Sequence, residues 1–192
     1  MRSTLFTALA ATLGAGLFAG LGAGPSSAQT TKIDPANTLV IELKSGPVQV
    51  QLLPDLAPKH VARVKQLAKE SFYNGLKFHR VLDGFMAQTG DPTGTGSGGS
   101  KYGSLAAEFS NYTYKRGTIG AARTQDPNSA NSQFYICFDD TGCRGLTGQY
   151  TVWGQVTSGM EAVDKIKRGV PGSGNVSEPD VMQKVYLLSD KK

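Results

Sequence analysis

The sequence contains few of the residues that form metal centres or covalent active sites. Its 192 residues include only two histidines, His60 and His79, and two cysteines, Cys137 and Cys143. The histidines fall on different predicted elements, so they indicate neither a metal-ligand set nor a catalytic triad. We therefore expect a site that uses no metal and no other cofactor.

Charged residues are also sparse, at 18% of the chain. Lys and Arg outnumber Asp and Glu by 20 to 15, and the basic residues are scattered apart from Lys165–Arg168 and the terminal lysine pair. A continuous basic stripe is therefore lacking, and we expect no nucleic-acid partner. The length and the 39% hydrophobic content favour one globular domain with a sizeable core.

Long apolar runs are absent beyond the N-terminal segment. Residues 5–21 are apolar and rich in glycine and alanine, and Arg2 is the only charge in residues 1–28. Small residues lead up to Ala28. This pattern is typical of a secretory signal peptide, which we predict to span residues 1–28 and to be cleaved after Ala28. The alternative is an uncleaved membrane anchor, because about 20 apolar residues span a bilayer.

A signal peptide predicts an exported protein, which we expect to be periplasmic or secreted and free of the membrane after cleavage. Residues 29–37 are then a polar linker, and residues 38–192 form the globular domain. Export also leaves the state of the two cysteines open. An oxidising compartment allows Cys137 and Cys143 to join. Cys137, however, follows an apolar predicted strand, where a free cysteine behaves as a small hydrophobe.

Alternating apolar residues predict a mainly β chain. The runs at 39–43 and 48–52 predict a hairpin. Six further short strands are predicted at 77–82, 85–88, 117–122, 133–138, 151–156 and 181–188. Helical spacing predicts two amphipathic helices, one that begins near Ala57 and one over Met160–Lys167. This content is typical of a barrel or a sandwich, and the pattern alone does not distinguish them.

Two short stretches combine bulky apolar residues with one cation and two carboxamides. They are FHR at 78–80 with GFMAQ at 84–88, and SQFYI at 132–136. Alternation along strands would place Arg80, Gln88 and Gln133 around an apolar floor. Three side chains form that floor: Phe85, Met86 and Tyr135. The arrangement predicts a site for a neutral group that resembles proline.

These motifs resemble the cyclophilin family of peptidyl-prolyl cis-trans isomerases. The resemblance extends from about Thr38 to about Ser189 and includes FHRVLDGFMAQTGDPTGTG, GTIGAAR and NSQFYI. It implies a closed eight-stranded antiparallel barrel with a helix over each end and a site on its outer face. It also implies an enzyme that accelerates rotation about X-Pro bonds in unfolded or flexible polypeptides, and so assists folding of exported proteins. We expect a monomer.

The resemblance assigns roles to particular residues. Arg80 stands at the catalytic arginine, and peptide-binding positions are occupied by Phe85, Met86, Gln88, Ala122 and Gln133. The apolar pattern adds Leu146 and Tyr135, and we expect a tyrosine to be able to wall the proline pocket and to donate through its hydroxyl. Three positions depart from many members of the family, and the first is Tyr135, which stands where many members have a phenylalanine after SQF. Tyr150 replaces a histidine, and Gly145 replaces a tryptophan, which argues against tight cyclosporin binding.

Arg80 has the chemistry that rotation about an X-Pro bond requires. The barrier is about 18 to 20 kcal/mol because rotation breaks amide resonance. As the amide twists, the prolyl nitrogen regains a lone pair, and a donor aimed at it stabilises the transition state more than either planar state. The guanidinium is always charged and offers several N–H groups in one plane.

Three alternatives remain open from the sequence. Arg80 could instead form a salt bridge with Asp83 or Glu108. The chain could be a module that binds proline peptides, or a chaperone, with weak isomerase activity. The run GTGSGG at 94–99 satisfies GxGxxG, but no amphipathic helix is predicted after it, which argues against a nucleotide site.

Overall fold

The structure is a computed structural model that describes residues 33–191. They form one eight-stranded antiparallel sheet and two α-helices, which confirms the predicted β-rich chain with two helices. The strands are β1 (Thr38–Leu43), β2 (Gly46–Leu52), β3 (Arg80–Leu82), β4 (Met86–Thr89), β5 (Thr118–Ala121), β6 (Phe134–Cys137), β7 (Val152–Ser158) and β8 (Lys184–Leu187). The helices are α1 (Pro58–Lys69) and α2 (Met160–Val163). The predicted signal peptide lies outside the described residues.

The sheet is an open half-barrel, and the closed barrel expected from the resemblance is wrong. The strand order is β3-β4-β6-β5-β7-β2-β1-β8, so β3 and β8 are the two edges. Within residues 33–191 these two short strands form no ladder with each other. A loop bonds to the edge of β3 instead, because the N–H of Val81 donates to the carbonyl of Gly174 at 2.8 Å. The segments ahead of β3 and β8 meet at the isolated bridge between Lys77 and Val181.

Because the sheet is open, the helices do not cap the two ends of a closed barrel. Helix α1 packs against β7 and β8 through its buried apolar face, and α2 contacts β2. Helix α2 ends at Val163, before the predicted end at Lys167. The N–H groups of Lys165 and Ile166 bond to carbonyls three residues back, which tightens the chain into turns. Among the described residues, no helix combines the length and the apolar character that crossing a membrane requires.

Aromatic side chains fill the centre of the main core. Phe134 on β6 packs edge-on against Tyr73 and Trp153, with ring centroids 5.6 and 5.2 Å apart. Such pairs contribute about 0.5 to 1.5 kcal/mol beyond the burial of their area. All three rings are almost fully buried. Since successive side chains of a strand point to opposite faces, the inward Phe134 directs Tyr135 to the outer face.

A second, smaller apolar cluster lies on that outer side of the sheet. Its buried members are Met86, Tyr114, Tyr135, Cys137, Cys143 and Val152. Cys137 and Cys143 form a disulfide with Cα atoms 6.1 Å apart, which settles the pairing that the sequence leaves open. The bridge joins the end of β6 to the loop that leads to Leu146. Half-buried Phe85, Leu146 and Tyr150 pack on the cluster, which therefore supports the predicted site.

Candidate active site

Strand register aligns three predicted site residues in one row. Arg80 on β3 pairs with Gln88 on β4, and Gln88 pairs with Tyr135 on β6. Paired residues project to the same face of a sheet, so their side chains are neighbours. Gly120 on β5 continues the row opposite Tyr135. A side chain at Gly120 would overlap the hydroxyls of Tyr114 and Tyr135, so glycine leaves room for these rings.

The structure brings eight of the nine predicted residues to one cavity of about 210 Å³. It is lined by Arg80, Phe85, Met86, Gln88, Ala122, Arg123, Tyr135, Leu146 and Tyr150. Gln133, the ninth predicted residue, lines a neighbouring cavity of about 420 Å³. The two cavities share Gln88, Ala122 and Arg123, so together they form one groove. We call the smaller cavity the proline cavity and the larger one the flanking cavity.

A chain of hydrogen bonds connects Arg80 to the flanking cavity. The Nη1 atom of Arg80 donates to Oε1 of Gln88 at 3.3 Å, and Nε2 of Gln88 donates to Oε1 of Gln133 at 2.9 Å. Gln133 in turn donates to the carbonyls of Gly96 and Gly98 at 3.0 and 2.8 Å. Each amide thus accepts on one side and donates on the other. The chain fixes the orientation of both carboxamides relative to the guanidinium.

A loop on the opposite side holds the stem of Arg80. The Nε atom of Arg80 donates to the carbonyl of Ser173 at 3.3 Å. Gly174 has a left-handed backbone with φ of 76°, and a Cβ atom there would lie only 3.0 Å from Cγ of Arg80. The backbone of this loop therefore packs directly on the arginine side chain. It leaves the Nη2 group of Arg80 without a hydrogen-bond partner among residues 33–191.

The two carboxylates considered as partners of Arg80 bond elsewhere. Asp83 accepts from Nε of Arg168 at 2.9 Å. Glu108 lies 2.6 Å from Nδ1 of His60 and also accepts from the backbone N–H groups of Lys59 and His60 at the start of α1. The salt-bridge alternative for Arg80 is therefore not realised. Its guanidinium remains on the wall of the proline cavity.

The glycine-rich loop beside the groove is organised by one carboxylate. Asp91 accepts from the backbone N–H groups of Thr93, Thr95, Gly96 and Gly98 at 2.6 to 3.1 Å. A phosphate-binding loop points such groups at its ligand, whereas here they point at a side chain of the same loop. No helix follows in residues 100–107. Both observations argue against the nucleotide site.

These hydrogen bonds change the acidity of Asp91. Burial on its own would raise the pKa of this carboxyl, but hydrogen bonds from Thr93, Gly98 and Gly96 outweigh burial. The pKa of Asp91 is therefore held well below its usual range. The ionised carboxylate thereby stabilises the loop that positions the Gly96 and Gly98 carbonyls for Gln133.

Tyr135 presents its ring to the proline cavity while its hydroxyl bonds inside the protein. The hydroxyls of Tyr135 and Tyr114 are 2.9 Å apart, and the planes of their rings differ by 20°. Burial raises the pKa of both phenols, so they stay neutral. The Tyr135 ring thus walls the cavity, while its hydroxyl pairs with that of Tyr114. The nearby ring of Tyr150 meets Tyr135 edge-on at 5.9 Å.

Arg123 is a groove residue that the sequence analysis did not identify. It lines both cavities, and its Cζ atom lies 4.3 Å from the centroid of the Tyr150 ring. It follows Ala122 in the GTIGAAR motif, which was the signal available. A lone arginine after a strand is usually a solvated surface residue, so its position in the motif did not indicate this contact.

A known protein family matches this chain over the residues that form the sheet. The sequence model of the family described as "Cyclophilin type peptidyl-prolyl cis-trans isomerase/CLD" matches residues 38–187, from the start of β1 to the end of β8. Proteins named "Probable peptidyl-prolyl cis-trans isomerase" in Brucella suis and Brucella melitensis are 53% identical over 171 residues, which cover 83% of this chain and 86% of each relative. A "Peptidyl-prolyl cis-trans isomerase" of Helicobacter pylori is 42% identical over 132 residues, with coverage of 67% and 79%.

Solved structures show the same similarity. The crystal structure of a cyclophilin from Hirschia baltica has a TM-score of 0.72 at 25% identity, and the match covers 83% of this chain and 77% of that one. A cyclophilin type peptidyl-prolyl cis-trans isomerase of Cryptosporidium parvum was crystallised in the presence of the dipeptide Ala-Pro. It has a TM-score of 0.71 at 25% identity, with coverage of 78% and 98%.

Proposed function

Because this chain belongs to the cyclophilin-type peptidyl-prolyl cis-trans isomerases and is an enzyme of that class, we propose that it isomerises X-Pro bonds in exported proteins and thereby assists their folding. The proposal has two parts, a catalytic assignment for the groove and an assignment of place. The proline cavity carries the first part. It combines one guanidinium, Arg80, with an apolar floor that includes Phe85 and Met86.

In this mechanism the proline ring of the substrate occupies the proline cavity. Phe85, Met86 and the Tyr135 ring hold the pyrrolidine in place while the preceding carbonyl turns about the X-Pro bond. The Arg80 guanidinium, whose Nη2 group is not engaged by the described residues, donates to the prolyl nitrogen as that atom regains its lone pair. The planar ground states offer no such lone pair, so the interaction lowers the barrier selectively.

The energy required exceeds what one charged hydrogen bond contributes, so the site must also hold and desolvate the substrate. Uncatalysed exchange takes tens of seconds, so a turnover of about 10³ per second needs a barrier lower by about 7 kcal/mol. A hydrogen bond from the Arg80 guanidinium supplies about 1.5 to 3 kcal/mol of this. Exclusion of water from the cavity and the fixed position of the proline ring supply the remainder. No bond to the substrate is made or broken.

Two observations support the assignment to an exported environment. The apolar segment before Ala28 has the pattern of a signal peptide. The buried disulfide between Cys137 and Cys143 suits an oxidising compartment, in which such bonds persist. We propose that residues 1–28 direct export to the periplasm or the medium and that the mature chain acts there as a monomer.

Cell fractionation tests the place of action. The full chain and a chain that begins at Gln29 are expressed in a bacterium, and intact mass is measured in each fraction. We expect the full chain to appear outside the cytoplasm with Gln29 as its first residue, and the shortened chain to stay in the cytoplasm. Full-length mass in the membrane would instead identify an anchor, and full-length mass in the cytoplasm would contradict export.

Refolding of an exported protein with a proline-limited slow phase tests the role in folding. The mature chain should accelerate that phase, and Arg80→Ala should not. If the mature chain binds the refolding protein without changing the slow phase, the groove acts as a binding module on such clients.

A further inference from the structure

We propose that Arg123 makes the groove select substrates with an acidic side chain within two residues of the proline. This inference rests on the isomerase activity of the groove and concerns which polypeptides it prefers. Its basis is that Arg123 lies where the two cavities join, since it lines both the proline cavity and the flanking cavity. A side chain close to the proline in sequence must pass this boundary when it enters the flanking cavity.

The charges of the groove have one sign. Arg80 and Arg123 are the only charged residues among those that line the two cavities, and both are cations. Neither forms an ion pair within residues 33–191. The flanking cavity is otherwise lined by glycines, Ala122, small hydroxyl residues and carboxamides. A carboxylate that enters the groove therefore meets two positive charges and no negative charge.

The position of the Arg123 guanidinium is fixed in advance. Its Nη1 atom donates to the carbonyls of Thr124 and Gln125 at 2.8 and 3.3 Å, and Nη2 donates to the carbonyl of Gln149 at 3.0 Å. The group also stacks on Tyr150 at 4.3 Å. It is therefore held between two loops before any substrate binds, which lowers the entropy cost of a new contact.

Arg123 still has one N–H group that a substrate can use. Three of its five N–H groups are used by the backbone carbonyls. The Nε atom is buried and has no hydrogen-bond partner among the described residues. Because the Nε atom is buried, the donor left for a substrate is the second N–H of Nη2. A carboxylate is the acceptor that a guanidinium binds most strongly, because charge and planar geometry both match.

The test compares turnover of paired peptides by the mature chain. Four peptide positions are varied, the two before and the two after the proline. Each in turn carries Glu, its neutral isostere Gln, or Lys, and kcat/KM is measured at low and high salt. At one of these positions at least, we expect kcat/KM for Glu to exceed that for Gln by about tenfold at low salt, and Lys to be worst. The ratio should fall as salt rises, because salt screens exposed charges.

Variants assign the preference to Arg123. In Arg123→Gln, the ratio of kcat/KM for the Glu peptide to kcat/KM for the Gln peptide should fall to about one, even if turnover of the neutral peptide also changes. Arg123→Lys retains the charge and should keep part of this ratio. Arg144→Gln is the matched control, since this exposed arginine lines neither cavity and should leave the ratio unchanged.

Two results would overturn the inference. One is a ratio near one at all four positions in the unmodified chain, a measurement that needs no variant to fold. The other is a ratio that persists in Arg123→Gln, which would assign the preference to Arg80. A purely structural role for Arg123 would lower kcat/KM for Glu and Gln peptides alike. Turnover of the neutral peptide measures the isomerase activity itself. A chain without isomerase activity is therefore distinguished from an active chain that lacks the acidic preference.

Discussion

Arg80 and Gln88 face each other across β3 and β4, and the Arg80 guanidinium donates to the Gln88 amide at 3.3 Å. Gln88 also donates to Gln133, so a single side chain couples the arginine to the loop that borders the flanking cavity. The position of the guanidinium therefore depends on residues from three parts of the chain.

Removal of this link should impair catalysis more than folding. We expect Gln88→Ala to lower kcat/KM by about tenfold, because Arg80 loses an orienting acceptor and Gln133 loses a donor. The measurement is cis-to-trans conversion of an X-Pro peptide, with thermal unfolding of the same samples. Gln49→Ala, on β2 and outside the groove, is the control and should match the unmodified chain. Equal kcat/KM for all three proteins would show that Gln88 does not contribute to catalysis.

Gly174 should act through Arg80. A methyl group at this position would lie 2.9 Å from Cγ of Leu82 and 3.0 Å from Cγ of Arg80, and the left-handed backbone adds strain. We expect Gly174→Ala to lower kcat/KM by about tenfold in the unmodified chain, but by less than about twofold when Arg80 is already alanine. Additive losses in the double variant would show that Gly174 affects the enzyme by some other route.

The disulfide should stabilise the wall of the proline cavity. Cys137 and Cys143 lie in the cluster beneath Met86 and fasten the loop that leads to Leu146. We expect the Cys137→Ala, Cys143→Ala double variant to lose about 2 kcal/mol of unfolding free energy, from closure of a short loop. Its kcat/KM should fall as well, because Leu146 is held less firmly. Denaturant unfolding and the peptide assay measure both effects, and an unchanged unfolding midpoint would refute the stabilising role.

Acid should weaken the glycine-rich loop through Asp91. The folded-state pKa of Asp91 is depressed by hydrogen bonds, so its contribution to stability is present above the unfolded value of about 4. That contribution is lost as pH falls towards the folded-state pKa. We expect Asp91→Asn to be less stable than the unmodified chain at pH 7, with a gap that narrows below pH 4.

Denaturant unfolding over a pH series measures this gap. Asp55→Asn, which changes an exposed aspartate in the turn before α1, is the control and should show a pH dependence like that of the unmodified chain. A gap for Asp91→Asn that stays constant down to pH 2 would show that the carboxylate does not account for the stability of the loop.

Much of this arrangement follows from local sequence patterns. Alternation predicted the eight strands, and the FHR, GFMAQ and SQFYI stretches predicted side chains that the structure places around one groove. Alternation succeeds here because each strand has one face on a core, so an inward Phe134 fixes an outward Tyr135.

The remaining features depend on contacts that local pattern does not encode. The sheet stays open because the edge of β3 bonds to the carbonyl of Gly174, far along the chain. The Tyr135 hydroxyl bonds to Tyr114 because a distant segment brings that second hydroxyl to within 2.9 Å. Arg123 belongs to the groove because the loop that carries Tyr150 folds back over it. Each depends on which distant segment arrives next to the strand, and spacing within the motif does not specify that.

Arg80 provides the most direct test of the account. The unmodified chain, Arg80→Ala and Arg80→Lys are compared for cis-to-trans conversion of an X-Pro peptide, with binding of the peptide and thermal unfolding measured on the same samples. We expect Arg80→Ala to lower kcat/KM by about tenfold or more with little change in unfolding, and Arg80→Lys to restore only part, because lysine lacks the planar fork. Equal kcat/KM for the unmodified chain and Arg80→Ala would contradict the account.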